Sequence, residues 1–356
     1  MRLRVLSVAF PFAPVSVRTA GGAEQMLATL DKFLITSGHS SIILAAEGSH
    51  VSGLLVPTPR VPAEISPDFQ THVRGTVRDL IARTISRFRV DVVHLHGVDF
   101  LDYVPRQDVP LVVTLHLPLS WYPKELFGMS RAQTTLVCVS DAQAQSWPAD
   151  QAACEVIENG VDLNLFRPGK KKGDYLLGIG RICPEKAQHL AIEAADERGM
   201  PLYLAGTVFG YSSHRQYFEQ MIAPHLTGTH KFLGQIGGTR KRDLLSGARC
   251  LLIPSLAPET SSLVAMEALA CGTPVTAFRS GALAQLIEHG KTGFLVNSVN
   301  EMAQAVRKIH ELDPADCRRC AEASFSADRM TLQYLSLYES LATRAGLNRE
   351  ALCLAS

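Results

Sequence analysis

Short runs rich in valine, isoleucine and leucine alternate along the chain with stretches whose apolar residues recur every three or four positions. Alternation of these two periods predicts βαβ units and parallel sheets. In the first half the strands fall at Val5 to Phe10, Ser41 to Ala45, Val90 to Leu95, Leu111 to Leu115, Thr135 to Val139 and Glu155 to Glu158. In the second half they fall at Tyr175 to Gly180, Leu202 to Ala205, Lys231 to Leu233, Cys250 to Pro254, Pro274 to Ala277 and Gly293 to Val296. Ala23, Leu27, Leu30 and Leu34 mark a helix after Gly21-Gly22, and Gly38 stands where a C-cap would end it. Ser140-Asp141-Ala142-Gln143 offers a capping box for another. A last helix runs from Asp328 to about Thr343, with Leu332, Leu335, Leu337 and Leu341 on its apolar positions.

The rhythm breaks once, at Arg167-Pro168-Gly169-Lys170-Lys171-Lys172-Gly173, where proline and glycine interrupt structure and three lysines prefer water. This reads as a solvated linker rather than an anion site. It divides a first domain, residues 1–168, from a second, residues 174–325, and leaves 326–356 as a terminal helical segment. A length of 356 residues suits two domains. With 46% hydrophobic and 19% charged residues, both can bury full cores.

Charge and cysteine usage narrow the function. The 35 basic and 34 acidic side chains leave a net charge of +1, which provides no field for wrapping nucleic acid. Of 8 cysteines only Cys317 and Cys320 form a CxxC, with no second pair to complete a zinc site. They read as thiols in a reducing compartment, so the expected location is the cytoplasm, including the inner face of the membrane. Pro11 and Pro14 break the opening apolar run short of signal-peptide length. No run reaches the roughly 18–20 apolar residues of a membrane span.

The most informative stretch is Pro258-Glu259-Thr260-Ser261-Ser262-Leu263-Val264-Ala265-Met266-Glu267-Ala268-Leu269-Ala270-Cys271-Gly272-Thr273-Pro274-Val275, which reads as loop, helix, turn and strand. Glu259 precedes the helix and Glu267 lies on it. A carboxylate accepts two hydrogen bonds side by side, which suits the vicinal hydroxyls of a ribose or a hexose. Between them the free amides of Ser261, Ser262, Leu263 and Val264 form a helix N-terminus that can seat a phosphate.

With its Glu-x7-Glu spacing and the following Ala-Cys-Gly-Thr-Pro-Val, this stretch resembles the retaining glycosyltransferases of family 4, which have the GT-B fold. Gly21-Gly22-Ala23-Glu24 is similar to that family's N-terminal glycine loop. Asn159-Gly160-Val161-Asp162 is similar to its segment before the linker, and Gly180-Arg181-Ile182-Cys183-Pro184-Glu185-Lys186 to its Gly-Arg-x4-Lys element. The resemblance implies an α/β protein of two Rossmann-like domains with parallel sheets facing each other across a cleft. The first domain would hold the acceptor and the second a nucleoside diphosphate sugar, expected to be a UDP-sugar. The terminal helix would cross back to the first domain.

The resemblance also assigns roles. Arg181 and Lys186 would neutralise the donor diphosphate, which gains negative charge as the glycosidic bond breaks. Ser261, Ser262, Leu263 and Val264 would offer their amides to it, Glu267 would hold the ribose, and Glu259 the hexose. His116, at the end of its strand, would touch donor sugar or acceptor, and Gly21 and Gly22 would let a ligand approach the backbone. Neither a metal nor another cofactor is expected, and no protein nucleophile is assigned. One departure stands out: Thr260-Ser261-Ser262 occupies the place where the family often has Pro-Phe-Gly, which loses the tightest backbone geometry.

Other signals are weaker. Gly178-x-Gly180 lacks a third small residue, because position 183 is cysteine, so a dinucleotide site is not assigned. His94 and His96 share one strand face, yet nothing in the sequence completes a metal site around them. Arg74, Arg78, Arg83 and Arg87 give the stretch from Gln70 to Phe88 a basic amphipathic pattern. A solvated face is preferred there to docking on a membrane. Trp121, Tyr122 and Phe127 suit a sugar ring, a lipid surface or a packed loop. Two rival functions remain open: a nucleotide-sugar epimerase or hydrolase, and a non-catalytic nucleotide-sugar binder.

Overall fold

The computed structural model describes residues 2–355 except 17, 18, 20, 63, 130, 150, 152, 170 and 227, with side chains as far as residue 346. Lys170 of the expected linker thus lies outside the described residues. The chain forms two compact units, Met1–Glu158 with Arg329–Ser356, and Asn159–Asp328.

The first unit is built on a seven-stranded parallel sheet in the order β3-β2-β1-β4-β5-β6-β7. Its strands are β1 (Arg4–Val8), β2 (Ser40–Ala46), β3 (Leu54–Thr58), β4 (Val92–Leu95), β5 (Leu111–Leu115), β6 (Thr134–Cys138) and β7 (Glu155–Val156). β1, β4 and β5 carry continuous buried runs, as strands covered on both faces must. β3 escapes the hydrophobic pattern because it is a half-exposed edge strand with Pro57 in it, a residue that only an edge tolerates.

The terminal helix spans Ala327–Ala355. Met330, Tyr334, Tyr338 and Leu341 are buried with Leu3, Val5, Met26 and Val92 in a core of the first unit. Of the leucines that mark the apolar face in the sequence, Leu341 is buried here and Leu335 and Leu337 pack partly buried against this core, whereas Leu332 is 55% exposed. The spacing of Met330, Tyr334, Tyr338 and Leu341 follows the helical period, and Leu335 and Leu337 flank that stripe. Tyrosine can be buried here because its hydroxyl finds partners. The Tyr338 hydroxyl lies 2.6 Å from His94 Nδ1, and that of Tyr334 lies 2.9 Å from Thr114 Oγ1.

The second unit has a six-stranded parallel sheet in the order β10-β9-β8-β11-β12-β13. The strands are β8 (Leu176–Ile179), β9 (Leu202–Ala205), β10 (Lys231–Phe232), β11 (Cys250–Ile253), β12 (Val275–Phe278) and β13 (Gly293–Val296). This unit starts before the lysine run, so the linker reading of 167–173 is corrected. Val161 N donates to Phe325 O at 2.8 Å, and Arg318 Nη1 donates to Phe166 O at 2.7 Å. These bonds bring the chain into the second unit ahead of Pro168. Strand order reverses between β8 and β11, and ligands of open α/β sheets bind beyond the carboxyl ends of strands at such a point. Among the described residues no helix is long and apolar enough to cross a membrane.

Candidate functional site

The loops leaving β8 and β11 carry Arg181, Lys186 and Glu259. After β8 the chain passes Gly180 and half-buried Arg181 into a single 3-10 turn, Pro184–Lys186. Gln188 Nε2 donates to the Arg181 carbonyl at 2.6 Å and fixes the backbone there. After β11, Leu256 N donates to the Glu185 carbonyl at 2.9 Å, which ties the two loops together. Lys186 Nζ lies 2.5 Å from Glu259 Oε1, and the Ser255 hydroxyl donates to the same oxygen. Glu259 is only 8% exposed. Its carbonyl accepts from Ala282 N at 2.7 Å, and Gly281 makes this approach possible. A Cβ on Gly281 would stand 2.2 Å from that carbonyl oxygen, and its φ of +53 is the left-handed conformation that glycine adopts freely.

The helix Leu263–Ala270 begins at Ser262 without a side-chain cap. The Ser262 side chain thus caps none of its first amides, and the Ser261 hydroxyl is buried with no hydrogen-bond partner among the described residues. Glu267, on the same helix, is buried with its Oε2 2.5 Å from Lys241 Nζ. Burial pushes the Glu267 carboxyl up, and the Lys241 ammonium opposes that rise. Lys241 is itself buried, on the helix Gly238–Gly247.

Sequence reasoning passed over Ser255 and Lys241. Lys241 stands between Arg240 and Arg242 in the sequence, and nothing in that run marks which of the three turns inward. Ser255 carries no motif at all.

Gly21, Gly22 and His116 belong to the first unit. Gly21 precedes the helix Gly22–Thr36, and a Cβ there would stand 1.8 Å from Glu24 Oε2. The chain's own carboxylate thus occupies the space beside this helix start. His116 Nε2 lies 3.2 Å from His96 Nδ1, and the His94 and His96 rings are 3.8 Å apart. Both ring nitrogens of His94 are engaged, with Tyr338 and with Thr114 Oγ1 at 2.7 Å, which removes it as a metal ligand. Burial lowers His116 to about 3 and holds His94 and His96 well below the usual histidine range. All three rings are therefore neutral.

The basic helix, Pro67–Phe88, is largely spoken for near its start. Arg74 Nε lies 2.9 Å from Asp99 Oδ2 and 3.2 Å from Asp102 Oδ2, and Arg78 donates to the Asp102 carbonyl at 2.9 Å.

Two parallel sheets, each with a cationic or glycine-bearing loop beyond its strands, define a doubly wound α/β protein, and comparison with known proteins relates it to glycosyltransferases. Residues 20–165 match the family described as Glycosyltransferase Family 4, and residues 162–326 match Glycosyl transferases group 1. The chain is thus similar to glycosyltransferases over both stretches, 20–165 and 162–326. A D-inositol 3-phosphate glycosyltransferase of Mycobacterium leprae is 31% identical over 213 residues, covering 53% of this chain and 50% of the relative. A D-inositol 3-phosphate glycosyltransferase 2 of Catenulispora acidiphila is 31% identical over 44% of its own length. The chain thus spans about half the length of these curated relatives. A phosphatidyl-myo-inositol mannosyltransferase of Mycolicibacterium smegmatis is 26% identical over 92% of both chains. Among solved structures, AviGT4, a glycosyltransferase involved in avilamycin A biosynthesis, matches with TM-score 0.70 and 24% identity over 96% of this chain and 98% of its own. Anabaena HepE, solved with UDP and glucose, matches with TM-score 0.75 and 20% identity over 95% of this chain and all of its own. These likenesses give the fold: α/β, of GT-B type.

Proposed function

We propose that this protein is a retaining hexosyltransferase that moves a sugar from a nucleoside diphosphate sugar, a UDP-sugar, to a hydroxyl acceptor in polysaccharide, glycolipid or glycoconjugate synthesis. The observation that carries the reading is the meeting of Lys186, Glu259 and an uncapped helix start at the switch point of the second sheet. HepE, of the same fold, was solved with UDP and glucose, which supports a uridine donor.

Arg181, Lys186 and the amides of Leu263 and Val264 would hold the diphosphate, with the buried Ser261 hydroxyl beside them. Positive charge already in place stabilises the departing phosphate without reorganisation. Glu267, anchored by Lys241, would take the ribose, and Glu259 the hexose hydroxyls. His116, kept neutral, would offer a hydrogen bond to the sugar or the acceptor, and we assign the acceptor to the first unit. The charge on Arg181 and Lys186 does the work that a metal does elsewhere, so transfer needs no metal or other cofactor. The site of action is the cytoplasm or the inner membrane face.

Incubating the full chain with a panel of nucleoside diphosphate sugars, with and without alcohol and sugar acceptors, tests this reading. Products with the donor's anomeric configuration are expected. Epimerised donor, hydrolysis that acceptors never divert, or donor binding without turnover would replace it with one of the rival functions.

A further inference from the structure

Next to Arg181 a second cluster remains outside the proposed donor site. Cys183, Glu185 and His214 each offer a ligand atom, and these atoms lie within 4.8 Å of one another. Cys183 is fully buried, His214 is 8% exposed, and Glu185 faces solvent. The Nδ1 of His214 is buried with no hydrogen-bond partner among the described residues. A buried polar atom without a partner is costly to a fold, so this buried imidazole nitrogen points to a ligand.

We propose that Cys183, Glu185 and His214 form a binding site for one divalent transition metal ion of the zinc and cobalt type, with a fourth position open to water. The donor set selects the ion. One thiolate, one imidazole and one carboxylate suit zinc or cobalt, whereas magnesium and calcium prefer oxygen alone. Bond lengths of about 2.0–2.3 Å place tetrahedral ligands roughly 3.2–3.8 Å apart, so no pair of the three atoms need close by more than roughly 1–1.6 Å. Glu185 can supply that movement because its side chain is exposed.

The frame around the cluster is fixed. Pro184 separates Cys183 from Glu185, and the Glu185 carbonyl is held by Leu256 N at 2.9 Å. The His214 ring stands edge-on to Tyr211, with centroids 5.2 Å apart, and to Phe209 at 6.3 Å. On binding, the Cys183 thiol releases its proton to solvent, and thiolate and carboxylate cancel the two charges of the ion. Arg181 is then not repelled. The filled site would clasp the loop carrying Arg181 and Lys186 to the helix Ser212–Tyr217, which links it to the function proposed above.

The probe is Co2+ added to metal-free full-length protein. A sulfur-to-cobalt charge-transfer band saturating at one ion per chain is expected, with displacement by Zn2+. Zn2+ should also raise the melting temperature of the wild-type protein. Cys183→Ser and His214→Ala should abolish the band, and the exposed-site change Glu185→Gln should weaken Co2+ binding by more than about tenfold without unfolding the chain. Cys320→Ser, away from the cluster, should leave the band intact. No band at millimolar Co2+, or a band that survives both Cys183→Ser and His214→Ala, would overturn the site. None of these readouts uses transferase activity, so a failed metal site and a failed glycosyltransferase assignment give different results.

Discussion

Lys186 and Glu259 are 73 residues apart in sequence, yet the ammonium nitrogen of one lies 2.5 Å from a carboxylate oxygen of the other. Each comes from a different loop at the strand reversal of the second sheet. The two charges satisfy each other, with Ser255 sharing the load on the carboxylate. A diphosphate would draw Lys186 toward itself and leave Glu259 ready to accept from sugar hydroxyls.

Replacing Lys186 or Arg181 with alanine should lower donor turnover by at least about 100-fold, the scale of losing one charge-stabilising group from a transition state. Lys186→Arg should restore part of it. Steady-state rates on the donor found by the panel decide the matter, and full activity in both alanine variants would remove the diphosphate assignment.

Removing Lys241 would leave the buried Glu267 carboxylate without its partner. Lys241→Met should therefore destabilise the protein by about 3–5 kcal/mol, and adding Glu267→Gln should recover most of the loss. Urea denaturation of the single and double variants measures this. If Glu267 holds the ribose, Glu267→Ala should raise the donor KM more than it lowers kcat, because that contact exists in ground and transition states alike.

Acid should weaken the first unit early. His94, His96 and His116 are held neutral by burial, with His116 lowered to about 3. Unfolded histidine takes up a proton near pH 6.5, so below that value the unfolded chain binds more protons than the folded one. Their contribution is complete above about pH 6.5 and falls as pH drops toward the folded values, by about 1.4 kcal/mol per pH unit for each proton. Melting curves from pH 7.5 to 4.5 should show this slope, and His96→Asn should flatten it.

Tyr338→Phe strips the hydroxyl partner from buried His94 Nδ1 and should cost about 1–3 kcal/mol. Its effect should stay with the first unit. UDP affinity, assigned to residues of the second unit, should be unchanged by titration calorimetry, and a large loss would place part of the donor site on the helix-bearing unit.

Much of the architecture was written locally. Continuous apolar runs such as Leu111 to Leu115 and Leu202 to Ala205 have one compact solution, a strand buried on both faces, and the helices between them follow from a 3.6-residue period. The edge strand Leu54–Thr58 was not legible, because one half-exposed side and a proline erase the pattern. The division of the chain at Asn159 was hidden too, since it rests on hydrogen bonds that Val161 N donates to Phe325 and the Phe166 carbonyl accepts from Arg318, both far along the sequence.

Local order along the chain already groups the residue types: Arg181 with Lys186, and Glu259 with Glu267 across one loop and helix. Only the tertiary structure decided their partners. Lys186 meets Glu259, Lys241 meets Glu267, His116 meets His96, and Tyr338 meets His94. The reason is physical. Burial makes an unpaired charge or hydroxyl costly, so each such group must find a complement, but local propensity carries no information about which distant residue the fold will bring to it.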